Sequence, residues 1–352
     1  MMKTTMRDIA EKLGISINAV SLALNNKVGV SDEMRMKILR TADAMGYLSK
    51  KEKYVHTFSS TNLCVMMQRI YSTDMNFYGK VLYALTEEAQ KSGFDTLMSF
   101  FDDELFAVPG AVEEHRVSGV IVIGKIADRN IERLREYNLP LVLVDHASLR
   151  NRVDSILTDN KLGGFVATSY LADQGFRKIG YFGDLDYSLS IKERFFGFQE
   201  AVQTRGLVGR EGIAAYAARY SITRDVERWI LSNDNAGIIA HLKAAKELPE
   251  AFVCSNDKAA IALLMSLQAL GLRVPEDISI IGFDNIDICR KVSPKITTLK
   301  VDKEAMGRRA VQRIRYRLSH REAPPENTVL SVELIERQSV KQKAQHQTEE
   351  TV

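Results

Sequence analysis

From residue 62 onward the chain alternates short, continuous apolar runs with longer stretches of helical periodicity, and this alternation constrains the fold more than any other feature. The runs Leu63–Met67, Leu97–Phe100, Val120–Ile123, Leu141–Val144, Ile179–Phe182, Phe252–Cys254 and Ile278–Ile281 read as strands. Between them, helices are predicted near 78–92, 129–137, 160–174, 193–205, 223–233, 257–270 and 303–319. A strand that is apolar throughout is buried on both faces, and helices interleaved with such strands supply the covering layers of a parallel sheet. The class is therefore α/β. At 352 residues the chain exceeds what one core usually serves, about 250 to 300 residues, so more than one domain is expected.

The first fifty residues follow a different pattern. Thr5-x-x-Asp8 resembles a capping box, and Ile9, Ala10 and Leu13 follow at helical spacing until Gly14 ends the run. Ser16 can cap a second helix carrying Val20, Ala23 and Leu24. Ser31 can cap a third, with Met34, Ile38, Leu39, Ala42 and Met45 on one face and Gly46 at its end. Three short helices with a tight first turn suggest a helix-turn-helix unit, whose second helix needs packing partners to persist.

Charge divides the chain at the same place. Residues 1–53 hold ten basic and six acidic residues, a net +4, whereas the rest holds 38 basic and 39 acidic, a net −1. A small basic head on a near-neutral body suggests a polyanion-binding module attached to something else. The intervening LSKKEKYVHTFSST is polar and basic and reads as a linker, and KQKAQHQTEETV at 341–352 reads as a disordered tail. The start lacks a signal-peptide pattern, and no apolar stretch of about 18 residues occurs, so a cytoplasmic location away from membranes is expected. Cys64, Cys254 and Cys289 lie far apart without a C-x-x-C, as buried reduced thiols do.

With these elements in place the sequence resembles the LacI/GalR (lactose-repressor) family of transcription factors. MRDIAEKLGISINAVSLALNNKVGVSDEMRMKILRTADAMGY is similar to the family's head, and CSNDKAAIALLMSLQALGLRVPEDISIIGFDNID with SPKITTLKVDKEAMGRRA is similar to its carboxyl-terminal pattern. The resemblance implies a helix-turn-helix domain at 1–48, a hinge at 49–61 and a ligand-binding, dimerising core at 62–340. That core would be periplasmic-binding-protein-like, with lobe 1 at about 62–159 plus 292–320 and lobe 2 at about 160–291 plus 321–340.

The second helix would enter the major groove, where each base pair displays a distinct donor and acceptor pattern. The resemblance places base reading at Ile17, Asn18 and Leu22. Asn18 offers paired donor and acceptor atoms to adenine, while Ile17 and Leu22 suit thymine methyls. Many family members have arginine where this chain has Leu22, so a guanine-reading fork is missing. Thr5, Ser16, Ser21 and Asn25 belong to the implied DNA-contacting set, the serines and Asn25 fixing register on phosphate. In the linker, the family's Pro-Asn pair is replaced by Ser49 and Lys50, and its minor-groove leucine by His56, with Val55 the nearest apolar residue.

In the core, the resemblance implies a ligand cleft at the carboxyl ends of the strands. Phe77 and Tyr78 match positions where the family stacks rings on its ligand, and Arg194 matches an arginine that grips hydroxyls or carboxylates. Asp145, Asn256 and Asp284 match further polar contacts, Tyr220 an aromatic wall, and Ser190 and Asp102 weaker candidates. An aromatic floor with Arg, Asn and carboxylates suits a sugar. Each residue also has a plainer reading: Phe77 and Tyr78 as core, Asp145 and Asp284 as helix caps, Arg194 as a surface partner of Glu193. The arginines at 308, 309, 313, 315, 317 and 321 flank an apolar stripe of Ala310, Ile314 and Leu318, which reads as an amphipathic helix with a solvated basic face.

An enzyme is disfavoured. Gly119-x-x-x-x-Gly124-Lys125 encloses Val-Ile-Val-Ile, a buried strand rather than a phosphate cradle, and Ile126 stands where Ser or Thr is required. There is no G-x-S-x-G, no H-E-x-x-H, and no metal-ligand spacing among the six histidines, so no cofactor or metal is implied. The expectation is a ligand-responsive repressor that binds a palindromic operator in double-stranded DNA as a homodimer, since one head covers a half-site.

Overall fold

The computed structural model describes residues 4–24, 29–47 and 61–342. The head is three helices, α1 (Met6–Leu13), α2 (Ile17–Leu24) and α3 (Asp32–Ala44). Each begins where the sequence offers a cap. The Thr5 hydroxyl accepts from the Asp8 amide while the Asp8 carboxylate accepts from the Thr5 amide, and Ser16 and Ser31 accept from Ala19 and Met34. Gly14 ends α1 at φ +66°, a backbone region that costs glycine nothing. Ile9, Val20, Ala23, Ile38 and Ala42 are fully enclosed and bind the helices to one another. The buried Arg35 of α3 donates to the carbonyls of Leu22 and Ala23, placing a positive charge at the carboxyl end of α2.

The body is two lobes. Lobe 1 is built from β1 (Asn62–Gln68), α4 (Tyr78–Lys91), β2 (Asp95–Phe101), α5 (Gly110–Glu113), β3 (Gly119–Ile123), α6 (Asp128–Arg135), β4 (Leu141–Val144) and β5 (Asp154–Thr158). Lobe 2 follows with α7 (Asn160–Asp173), β6 (Ile179–Phe182), α8 (Leu189–Thr204), α9 (Gly212–Tyr220), α10 (Val226–Leu231), α11 (Asn235–Ala244), β7 (Ala251–Cys254), α12 (Asp257–Ala269), β8 (Ser279–Asp284) and β9 (Thr297–Lys300). The chain then returns to lobe 1 for α13 (Lys303–Ser319) and β10 (Asn327–Leu330), and ends in lobe 2 with β11 (Glu333–Ile335). The sheet orders are β10-β5-β4-β3-β1-β2 and β11-β9-β8-β7-β6. Every pairing is parallel except β11 with β9.

The first crossing between lobes lies between β5 and α7. The second and third fall later: 292–320 is divided, with β9 in lobe 2, and 321–340 is divided, with β10 in lobe 1. Buried polar groups explain why β5 and β9 are absent from the apolar pattern. Asp154 opens β5 and pairs with Arg313 at 2.7 Å and Arg317 at 3.3 Å, while the Thr298 hydroxyl of β9 donates to Asp257 at 2.6 Å. The same contacts correct the solvated basic face of α13. Arg313 is buried, bonded to Asp154, Glu326 and the Pro324 carbonyl, and thereby fastens β10 to β5.

One apolar core runs through both lobes, from Val65 and Ile121 to Phe198 and Ile281, and further cores fill their outer faces. Helices α7 and α8 approach to backbone contact. A Cβ on Gly164 would lie 2.0 Å from the Arg194 carbonyl oxygen, and one on Gly197 would lie 1.9 Å from that of Lys161. Two glycines therefore set the height at which Arg194 leaves α8. Cys64, Cys254 and Cys289 are free and buried.

Candidate DNA-reading helix and effector cleft

Helix α2 buries Val20, Ala23 and Leu24 and turns the other side outward. Ile17 is 46% exposed, unusual for isoleucine, and Asn18 and Ser16 are exposed beside it. Ser21 and Leu22 are half-buried, and the Leu22 Cδ1 lies 3.2 Å from where Gly29 would carry a Cβ. The structure thus brings Ile17, Asn18, Ser21 and Leu22 to the side of α2 away from the core. Thr5 is exposed but its hydroxyl is engaged in the α1 cap. Asn25, Val55 and His56 lie outside the described residues, as does most of the hinge.

Between the lobes, at the carboxyl ends of β4 and β8, lies a cavity of about 140 Å³ lined by Phe77, Tyr78, Asp145, Ser190, Arg194, Asn256 and Asp284, all seven singled out from the sequence. Both aspartates sit where their strands turn into loops: Asp145 at φ +59° and Asp284 at φ +105°, a region costly for residues other than glycine and one where functional sites concentrate strain. Asp145 accepts from the Tyr78 hydroxyl at 2.9 Å and, across the cleft, from the Ser190 hydroxyl at 3.2 Å.

Arg194 is 5% exposed, so it is no surface partner of Glu193. Its Nε donates to Asn160 Oδ1 at 2.9 Å, its Nη1 to the Ser255 carbonyl, and its Nη2 to Asp284 Oδ1 at 3.5 Å, while the guanidinium lies 3.7 Å from the Phe283 ring centre. Burial pushes the Asp284 carboxyl up to about 7, Arg194 opposing the shift and Asp257 adding to it. Burial also raises Asp145, against Arg194, Tyr78 and Ser190, and lowers the imidazole of His146 beside it. Asn256 caps α12 through Oδ1 and donates through Nδ2 to Glu227 at 3.1 Å.

Tyr220 is not brought to the cleft. It lies beside Gly180, two residues before the end of β6, where its ring packs on Tyr216 and its hydroxyl reaches Glu247. The chain then runs along β6, Ile222 bridging Phe182, and delivers Glu227 to the cavity instead. Asp102 does not line the cavity; it is exposed and pairs with Arg69 at 3.4 Å. Sequence reasoning did not find Glu227, Tyr71, Asp74, Tyr187, Lys125 or Lys258 as cleft residues, because single side chains in loops, short turns and the first turn of a helix carry no periodic signal. Several close the cleft. Lys258 pairs with Asp74 at 2.7 Å, Lys80 with Asp287 at 3.0 Å, and Lys125 donates to the Tyr187 carbonyl at 3.3 Å, each bond joining one lobe to the other. Among the described residues no cluster of side chains could hold a metal ion, and no helix is long and apolar enough to cross a membrane.

Comparison with known proteins agrees with this construction. Residues 5–49 match the model of bacterial regulatory proteins of the lacI family, and residues 168–340 match the periplasmic binding protein-like domain. An HTH-type transcriptional repressor PurR from Mannheimia succiniciproducens is 26% identical over 345 residues, covering 96% of this chain and 98% of that protein. A LacI family transcriptional regulator from Enterococcus faecium, solved with bound ribose, superposes with a TM-score of 0.67 at 21% identity over 80% of this chain and 99% of its own. The lac repressor dimer bound to operator and an anti-inducer superposes at 0.61 with 21% identity, over 96% and 99%. A capped helix-turn-helix head, a two-lobed parallel α/β body with a polar cleft, and these matches across both parts identify the chain as a member of the LacI/GalR family of transcriptional repressors, which are regulators rather than enzymes.

Proposed function

We propose that this chain represses transcription as a cytoplasmic homodimer on a palindromic operator, with affinity controlled by a carbohydrate in the cleft. The carrying observation is the cavity at the strand carboxyl ends, in which Arg194, Asn256, Asp145 and Asp284 converge beside Phe77 and Tyr78. Acceptors and donors next to rings suit a sugar, whose hydroxyls bond while its apolar face stacks. The ribose bound by the Enterococcus faecium regulator supports the same ligand class. Ile17, Asn18 and Leu22 read bases, while Ser16, Ser21 and Asn25 hold phosphate and Val55 and His56 approach the minor groove. The exposed Met98 and Phe100 of the edge strand β2 offer apolar area for a second copy. Ligand and DNA favour different lobe arrangements, so each changes the other's affinity by the same factor. Electrophoretic mobility shifts on genomic fragments, with and without a panel of sugars, test this reading. A shifted fragment whose retention changes with one sugar is the expected result; no shifted fragment at low salt refutes repression, and indifference to every sugar refutes the effector class.

A further inference from the structure

We propose that the effector carries a protonated amine, as an amino sugar does, and that Glu227 is the residue that selects it; this rests on the carbohydrate reading of the cleft. Glu227 is 6% exposed at the start of α10. Its Oε1 accepts from the Ser255 hydroxyl at 3.2 Å and from Asn256 Nδ2 at 3.1 Å, both neutral donors. Its Oε2 accepts no hydrogen bond among the described residues and is not one of their fully buried atoms without a partner, so it keeps accessible surface where Glu227 borders the cavity and the rim beyond it.

A carboxylate this deep is costly to keep charged without a cation bonded to it, and the Arg194 charge acts on it only from a distance. The cations around it are engaged: Arg194 on Asn160, Ser255 and Asp284, Lys258 on Asp74, and Lys125 on the Tyr187 carbonyl. Asp145, across the cavity, is likewise met by two neutral hydroxyls. The rim beyond Glu227 adds Asp184 and Asp186, and its cation, Arg228, is engaged by Asp225 at 3.1 Å. An anionic ligand meets unpaired carboxylates here, and a neutral one leaves Oε2 without a charge partner. An ammonium group bonded to Oε2 satisfies it and opposes the upward shift that burial imposes on Glu227.

Calorimetric titration of the full chain at about pH 7 decides the matter with matched probes: glucose against glucosamine, galactose against galactosamine, and the N-acetyl derivative of each. At least one amino sugar is expected to bind about 10-fold or more tightly than both its parent and its N-acetyl form, the scale of one charge-assisted bond. In Glu227→Gln that advantage should fall to within about 3-fold, each amino sugar being compared with its own parent in the same variant. Neutral sugars binding as tightly as the amino sugars overturn the inference and leave the carbohydrate reading intact, as does an advantage that survives in Glu227→Gln. Absence of binding by every probe overturns both. The comparison within the unmodified protein stands even if the variant does not fold.

Discussion

Replacing Arg194 with alanine removes a buried cation whose donors serve three acceptors on three different segments. Asn160 lies at the start of α7, Ser255 just beyond β7 and Asp284 at the end of β8, so the loss is felt across lobe 2. Breaking one side of a buried ion pair costs about 3 to 5 kcal/mol, because the other charge is left without compensation. In a domain of this size about 1 kcal/mol moves the melting temperature by roughly 2 to 4 °C, so a fall of about 6 to 20 °C is expected. The penalty has a sign with pH. Asp284 already binds its proton up to about 7, against an ordinary 3.8, and Arg194 is what holds it from rising further. Without Arg194 the folded state gains more by keeping Asp284 protonated, so the variant's deficit should be smallest near pH 5 and grow as pH rises through 8. Differential scanning fluorimetry of both proteins from pH 5 to 8 reads both quantities, and mobility shifts read DNA binding, which should persist without response to effector. A deficit below about 1 kcal/mol that is flat with pH would refute the pairing on which the cleft's electrostatics rest. An intact ligand response would remove Arg194 from the effector site.

Two further substitutions test the remaining parts. Asn18→Ala should relax discrimination at one base pair by about 1 to 3 kcal/mol and leave the salt dependence of binding unchanged, measured on a set of single-base operator variants; an equal loss on every variant would mean that Asn18 touches only phosphate. Gly164→Ala places a methyl 2.0 Å from the Arg194 carbonyl, so α7 and α8 must part at a cost of about 1 to 3 kcal/mol or more, seen as a lower melting temperature together with weakened ligand response. A variant that is as stable and as responsive as the parent would show that the helices are not held at that spacing.

The parts of the structure legible in the sequence are those governed by periodicity or by caps. Val120–Ile123 and Leu141–Val144 are buried end to end and read as strands because nothing polar interrupts them. Thr5, Ser16 and Ser31 open their helices because a short hydroxyl before an apolar repeat has few other uses. The cleft residues Arg194, Asp145, Asn256 and Asp284 came from family resemblance, and their convergence depends on strands far apart in sequence. What stayed hidden is held by buried polar pairs. Asp154 with Arg313 makes a strand out of a segment that looks like a loop, and Asp257 with Thr298 does the same for β9. Glu227 stands in Arg224-Asp225-Val226-Glu227-Arg228, whose charge reads as solvent exposure; only the run of chain beside β6 turns it inward.

The bonds that join the lobes have a consequence for ionic strength. Lys80 with Asp287 and Lys258 with Asp74 are partly exposed pairs, each worth about 0 to 1 kcal/mol and each screened by salt. Carrying an opening equilibrium from one lobe arrangement to the other takes about 5.5 kcal/mol of differential binding, which is more than these pairs oppose. The cleft is thus closed loosely enough for a small molecule to govern it. If the head binds operator as proposed, dissolved salt acts in two places, on its attraction to phosphate and on the clasp of the body, so an operator titration against salt reports a sum of both unless the clasp pairs are removed.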